Sequence, residues 1–294
     1  MIRPAAVAGS FYPGTDAACR AAIDECLAAN PSPFRESGFD VVAGIVPHAG
    51  WVFSGATAAR TLLAIGEPEP ACFVLFGAVH RHGVPRPAVA PEDAWRTPLG
   101  DVRVDGGLRD LLREALAGDL DVSAEAHAEE HSLEVQVPFL AHLFPDATIL
   151  PVAVPPTPAA AVLGEAVGEV CAGVEGRIVV LGSTDLTHYG PRFYGFTPRG
   201  TGPEAHRWAK DENDRAFLAR LLAFDAGGAL RVSSEQRSAC GGGAAAATVA
   251  AARALGADRA TLLAHTTSHE VQPDPGSAKD FVGYASLVFQ KTSV

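Results

Sequence analysis

The chain has 294 residues, 48% of them hydrophobic, and a formal net charge of −11 at pH 7. That length and apolar content support one large α/β domain or two small ones, and the negative charge argues against a nucleic-acid groove or an anionic membrane surface as partner. Five widely spaced cysteines (Cys19, Cys26, Cys72, Cys171 and Cys240) do not read as a disulfide framework and fit a reducing cytoplasm.

The opening Met1-Ile2-Arg3-Pro4 lacks the charged-then-apolar pattern of a signal peptide. Ile23 and Leu27 predict a helix over 16–30. Val41–Val46 reads as a buried strand that ends in Pro47-His48-Ala49-Gly50, followed by a helix through Leu63 that Ser54 is placed to cap. Cys72–Gly77 reads as a second strand, ending in Ala78-Val79-His80. Leu108, Leu111, Leu112 and Leu116 share one helical face. Leu133, Val137, Leu140 and Phe144 share another, which Pro138 is expected to kink or restart.

A strand over 148–154 and a helix over 159–174 follow. Residues 177–182 are a third strand of the same kind, running into Ser183-Thr184-Asp185-Leu186-Thr187-His188. A long helix is expected over 204–224 and an alanine-rich one over 243–255, the alanine content reading as genomic base bias. Residues 260–264 and 281–289 read as late strands. The uncharged, mostly apolar stretch 241–252 is too short for a bilayer, which needs roughly 20 residues. Pro/Gly-rich patches at 66–70, 155–158 and 198–203 have loop rather than linker length. Residues 1–294 therefore read as one domain with a central mixed, mostly parallel sheet flanked by helices.

Apolar runs bounded by Gly or Pro are the pattern of buried parallel strands, and open α/β sheets bind ligands beyond the carboxyl ends of their strands. His48, His80, Asp185 and His188 all stand at such ends and are expected to converge on a metal or acid/base site. At i, i+3, Asp185 can fix the tautomer of His188 and raise its basicity, or simply cap a helix. Cys240 precedes Gly241-Gly242-Gly243 and a helix, whose dipole favours the metal-binding thiolate, while the glycines permit close backbone approach.

The other four cysteines read as buried and inert. Glu130 and His131, ahead of a helix, are either capping residues or neighbours of the site. His265 and His269 flank Thr266-Thr267-Ser268 and either line the pocket rim or are solvated. His82, His127, His142 and His206 read as structural or surface residues. No Walker A, Rossmann or Gly-x-Ser-x-Gly pattern occurs.

Several of these segments, in this order, resemble the Memo family, known in microbes as AmmeMemoRadiSam system protein B. They are Arg3 through Pro13, Pro47-His48-Ala49-Gly50-Trp51-Val52-Phe53-Ser54-Gly55, Glu129-Glu130-His131-Ser132-Leu133-Glu134, Ser183 through Tyr189, Cys240-Gly241, and Val282-Gly283-Tyr284-Ala285. The resemblance covers nearly the whole chain. It implies a fold similar to class III extradiol dioxygenases, which use non-haem Fe(II).

It further implies that His48, His80 and Cys240 hold the metal. Asp185 and His188 would stand beside it as an acid/base pair, and Trp51 would join the pocket. A carboxylate is the third ligand in those dioxygenases, so Cys240 at that position speaks against ring cleavage. The alanine-rich segment after Cys240 and the His265–His269 segment depart from the family pattern and are expected to reshape the pocket.

Three functions follow. One is a non-haem iron redox enzyme or oxygenase acting on an unidentified small molecule or peptide. The second is a non-catalytic peptide- or metal-binding regulator on a dioxygenase scaffold. The third is a zinc hydrolase, since thiolate and imidazole ligands suit Zn and Cu as well as Fe(II). The family name also implies a functional link to a radical S-adenosylmethionine protein.

Overall fold

The computed structural model describes residues 1–273 and 278–293. Four parallel strands make the centre of the sheet: β1 (Phe39–Val46), β2 (Cys72–Gly77), β3 (Thr148–Ala153) and β4 (Ile178–Ser183), in the order β1-β4-β2-β3. Their near-continuous apolar sequences are what two covered faces require. Two longer strands, β5 (Arg259–Thr267) and β6 (Phe281–Thr292), add antiparallel to the β1 edge. The other edge ends in the short strands Ala88–Val89 and Asp121–Val122. The sheet is thus mixed, parallel at its centre and antiparallel at its margins.

Strand β6 overshoots the carboxyl end of β1. Its last residues pair with β1, while Phe281 and Val282 pair with Tyr189 and His188. This overhang makes one wall of the crevice where the parallel strands end.

Small residues decide how closely the helices lie. Gly44 and Ile45 point to opposite faces of β1, because side chains alternate along a strand. A Cβ at Gly44 would come within 2.6 Å of Thr61 in α1 (Trp51–Ala64). On the other face, a Cβ at Gly182, the β4 partner of Ile45, would come within 2.2 Å of Thr248 in α3 (Gly242–Ala254). Helix α2 (Ala159–Gly173) packs behind α3, where a Cβ at Gly164 would lie 2.1 Å from the Ala247 carbonyl oxygen. Ala244 to Ala247 are fully buried between sheet and α2. The alanine-rich segment is therefore a packing device and does not shape the pocket as expected.

An N-terminal arm is tied to the segment His131–Glu134 and to the start of α1, where Trp51 N donates to the Phe11 carbonyl at 2.8 Å. The Glu134 carboxylate accepts hydrogen bonds from Arg3 Nη1 at 2.7 Å, from the backbone of Ala6 and Val7 at 2.9 and 2.8 Å, and from the Tyr12 hydroxyl at 2.9 Å. Arg3 also donates to the carbonyls of His127 and Glu130 and lies over the Trp95 ring. Both charged side chains are buried, so each satisfies the other's charge.

Several expected boundaries change. Ser54 does not cap α1; Gly50 takes that position, and the Ser54 hydroxyl bonds to the Ala49 carbonyl inside the first turn. Pro138 coincides with a restart: His131–Glu134 and Val137–Leu143 are separate helices. The long helix over 204–224 is Pro203–Trp208 and Arg215–Leu222 joined by a π-helical turn, Ala209–Asp214. The helix Ala226–Gln236 carries no strong apolar stripe and has no counterpart in the sequence reading.

Two stability measurements check this packing. Glu134→Ala strands a buried guanidinium and is expected to cost about 3–5 kcal/mol in urea unfolding; a loss below ~1 kcal/mol would show that the arm is not held this way. Gly164→Ala is expected to destabilise by about 1–3 kcal/mol, because backbone stands where its methyl must go. Gly173→Ala on the same helix meets open space and should be near neutral.

Candidate metal centre

The carboxyl ends of β1, β2 and β4 meet the N-terminus of α3 at one point. There His48, His80 and Cys240 form a possible metal-binding group whose ligand atoms lie within 4.8 Å of one another. His48 Nε2 is 3.2 Å from the Cys240 sulfur. The thiol reaches this point because Cys240-Gly241 is laid against the turn after β4. Gly241 N donates to Thr184 Oγ1 at 2.9 Å and Cys240 N to the Asp185 carbonyl at 3.3 Å. A Cβ at Gly241 would stand 2.4 Å from the Ser183 carbonyl oxygen, so only glycine permits the approach.

Hydrogen bonds fix how each ring presents itself. The Ser183 hydroxyl donates to the Ser132 carbonyl at 2.7 Å, so at 2.9 Å from His48 Nδ1 it accepts that nitrogen's proton. His80 Nδ1 donates to Glu130 Oε1 at 3.0 Å, and the same carboxylate accepts His80 N at 2.9 Å and Ser132 N at 2.9 Å. Both rings therefore turn Nε2 toward the thiol, the arrangement by which neighbouring carboxylates and hydroxyls orient metal-binding histidines. Glu130 reaches His80 because Gly77, at the end of β2, leaves room for Ser132 and Leu133.

The group is electrostatically coupled. Burial raises the Cys240 thiol, but the adjoining His48 and His80 rings outweigh that and bring it down to about 5. Burial disfavours charge on His80, yet hydrogen bonds to the thiolate and to Glu130 push its pKa up to about 10. His48 is raised by the same thiolate and by Asp185, against its burial. His131 stacks on His80 with ring centroids 4.6 Å apart, and burial plus its two neighbouring rings bring it down to about 4.

Asp185 Oδ1 accepts His48 N at 2.7 Å, and Oδ2 stands 3.9 Å from His188 Nε2. Asp185 is held below the usual carboxylate range, since both histidines outweigh its burial. His188 is raised because Asp185 and Cys240 outweigh its own burial. Its ring stacks on Tyr194 at 4.9 Å. A cavity of about 450 Å³ opens beside these groups, lined by Asp185, His188, His131 and His269 together with Phe11, Phe53, Phe193, Tyr194, Phe281 and Tyr284.

His265 and Trp51 do not face this cavity. His265 Nε2 turns to the buried Asp214 at 3.0 Å; the chain passes from β5 into the short helix Ser268–Val271, so His265 and His269 diverge. Trp51 is buried against Tyr12 and Phe139 and donates Nε1 to the Val135 carbonyl at 3.0 Å. The sequence reading missed Ser183, Tyr194, Tyr284 and the Asp214 network. Asp214 accepts Thr187 N at 3.0 Å and its hydroxyl besides, holding the turn just before His188. Only the π-helical turn, which sequence periodicity does not signal, puts Asp214 there.

Comparison with known proteins now decides the family. The Memo family, described as Memo-like protein, matches residues 3–288. The chain belongs to the Memo family. MEMO1 family proteins of Thermococcus onnurineus and Pyrococcus abyssi are each 38% identical to it, over 99% of this chain and all of theirs. That of Methanopyrus kandleri is 35% identical with the same coverage. A solved structure, uncharacterized protein JW3007 from Escherichia coli K12, aligns with 85% of this chain and 98% of its own, at 17% identity and a TM-score of 0.47. Among the described residues, no helix of this Memo protein is long and apolar enough to cross a membrane.

Metal uptake should be proton-linked. With His80 raised to about 10, its ring carries at pH 7 a proton that an incoming cation must displace from Nε2, and His48 is shifted in the same direction by the thiolate and Asp185, against its burial. Affinity should therefore rise as pH climbs from neutral toward 10, and fall off at acid pH as the Cys240 thiolate protonates near 5. Calorimetric titration with Zn²⁺ in two buffers of different ionisation enthalpy should read release of ~1–2 protons per ion at pH 7. Zero release would refute the protonation pattern.

Proposed function

We propose that this Memo-family chain is a metal-dependent redox protein that holds Fe(II) at His48, His80 and Cys240 and uses His188 and Asp185 to move protons on a bound small molecule. The observation that carries this reading is the meeting of two imidazole Nε2 atoms and a thiolate within coordination reach, beside a cavity. Three protein ligands leave coordination positions for substrate or oxygen, the pattern of open catalytic sites. Bound ferrous iron would supply one-electron chemistry and a place for oxygen.

The chain's own residues supply the rest. His188 lines the cavity and is partly exposed, so its ring can exchange a proton with a ligand there, while Asp185 stabilises its charged form. Tyr284 is buried and its phenol is pushed up by desolvation, so it stays protonated and can donate a hydrogen bond to a ligand oxygen. The surrounding aromatic rings suit an apolar or planar body with one oxygen-bearing end. Family resemblance supports a functional link to a radical S-adenosylmethionine protein, which co-purification would detect.

Elemental analysis of anaerobically purified protein tests the reading. Iron with substrate-dependent oxygen uptake supports it. Tight zinc with ester or amide turnover would replace it with hydrolysis, and metal without turnover on any class would replace it with a binding role. His48→Ala, His80→Ala and Cys240→Ser are each expected to lose the tightly held ion while far-UV circular dichroism stays unchanged. His188→Ala is expected to keep the ion and lose turnover. If all four variants retain metal like the parent, these are not the ligands.

A further inference from the structure

We propose a second, weaker metal site on the opposite edge of the His80 ring, formed by His80 Nδ1, Glu130 and His131, so that His80 can bridge two ions. These three residues form a second group with all ligand atoms within 4.8 Å of one another. Glu130 Oε1 is 3.0 Å from His80 Nδ1 and 3.7 Å from His131 Nδ1, so a nitrogen of each ring lies within 4 Å of one carboxylate oxygen. The rings lie nearly parallel, 24° apart, with centroids 4.6 Å from one another.

His131 is the unspent part of this arrangement. Among the described residues its ring nitrogens make no hydrogen bond, although the ring is only 23% exposed and lines the cavity. Histidines held this way usually find a partner, because burial without one is costly. Glu130, by contrast, is immobilised. Its Oε1 accepts Ser132 N and its Oε2 accepts His80 N, so the carboxylate keeps its place when the Nδ1 proton goes. An oxygen with two acceptor positions then has one left for a cation.

Loading is a proton-for-metal exchange. The His80 Nδ1–H bond breaks, its proton passes to bulk water, and the freed lone pair binds the ion with Glu130 Oε1 and His131 Nδ1. No electron moves. With Nε2 holding an ion at Cys240 and His48, the ring becomes a bridging imidazolate. Two imidazoles and a carboxylate make a harder donor set than two imidazoles and a thiolate, so the sites differ in preference. The thiolate group fills first; the second site fills only at excess metal. It shares His80 with the redox reading above but does not rest on it.

Anaerobic titration with Co²⁺ separates the two sites, because a thiolate ligand adds a sulfur-to-metal charge-transfer band in the near ultraviolet and nitrogen and oxygen ligands do not. The native chain should take one equivalent with the band and a second without it. His131→Ala should keep the first and lose the second, and Glu130→Gln should do so too if His80 keeps its orientation. Cys240→Ser should bind one equivalent without the band, and Cys240→Ser with His131→Ala should bind none.

Saturation of the native chain at a single banded equivalent would overturn the second site and leave the thiolate group standing. An unbanded equivalent that survives His131→Ala would overturn it as well. Uptake of one unbanded, His131-dependent equivalent and no banded one would support the second site and remove the ligand set of the redox reading. No uptake at all overturns both.

Discussion

The absence of a side chain at Gly241 is the constraint on which the site depends. A Cβ there would collide with the Ser183 carbonyl, so any other residue would lift the start of α3 off the end of β4. The Cys240 sulfur is carried by that contact. Gly242 and Gly243 extend it: a Cβ at Gly242 would strike the Ser233 hydroxyl at 2.0 Å, and one at Gly243 the Pro155 carbonyl oxygen at 2.4 Å. Three consecutive glycines thus press one helix terminus against three separate segments, and the thiol arrives at the imidazoles as a result.

The imidazoles are held by a different part of the chain. Ser132 and Glu130 belong to a segment that Glu134 ties to the N-terminal arm, and through Ser183 and Glu130 this segment reaches both His48 and His80. The buried Arg3–Glu134 pair contributes little net stability over an apolar replacement. Its value is positional: a carboxylate with four partners leaves the segment one place to sit. The same arm brings Phe11 against His131, so the cavity wall and the ring orientation share one anchor.

A third set of contacts governs the turn that carries Asp185 and His188. Asp214 holds Thr187 and pairs with His265, while Gly283 on β6 has no Cβ to push Asp214 away. The turn from Asp185 to His188 is thereby fixed from the β4 side and from the antiparallel margin. The same turn also holds the candidate metal group, since Asp185 accepts His48 N at 2.7 Å and its carbonyl accepts Cys240 N at 3.3 Å, so the donor atoms and His188 share Asp185 as a common support.

The parallel strands were legible because each is a short apolar run bounded by Gly or Pro, and a strand end is a local feature. His48, His80, Asp185 and His188 could be picked out for that reason, and Cys240 for its glycines and following helix. The orientation of Trp51 and His265 was not legible, because a residue next to a strand end can point either way and only packing turns Trp51 to Phe139 and His265 to Asp214. Ser54 misled because a serine inside the first turn can bond backward to a carbonyl as readily as cap.

By itself, the sequence determined the alternation of strands and helices, the family, and which residues stand at strand ends, since these follow from hydrophobic period and local backbone chemistry. Only the tertiary structure decided which nitrogen each histidine turns inward, that Glu130 and His131 join His80 on its far edge, and that Asp214 braces the turn before His188. Those outcomes rest on hydrogen bonds between segments from 27 to 51 residues apart or more, which no local pattern encodes.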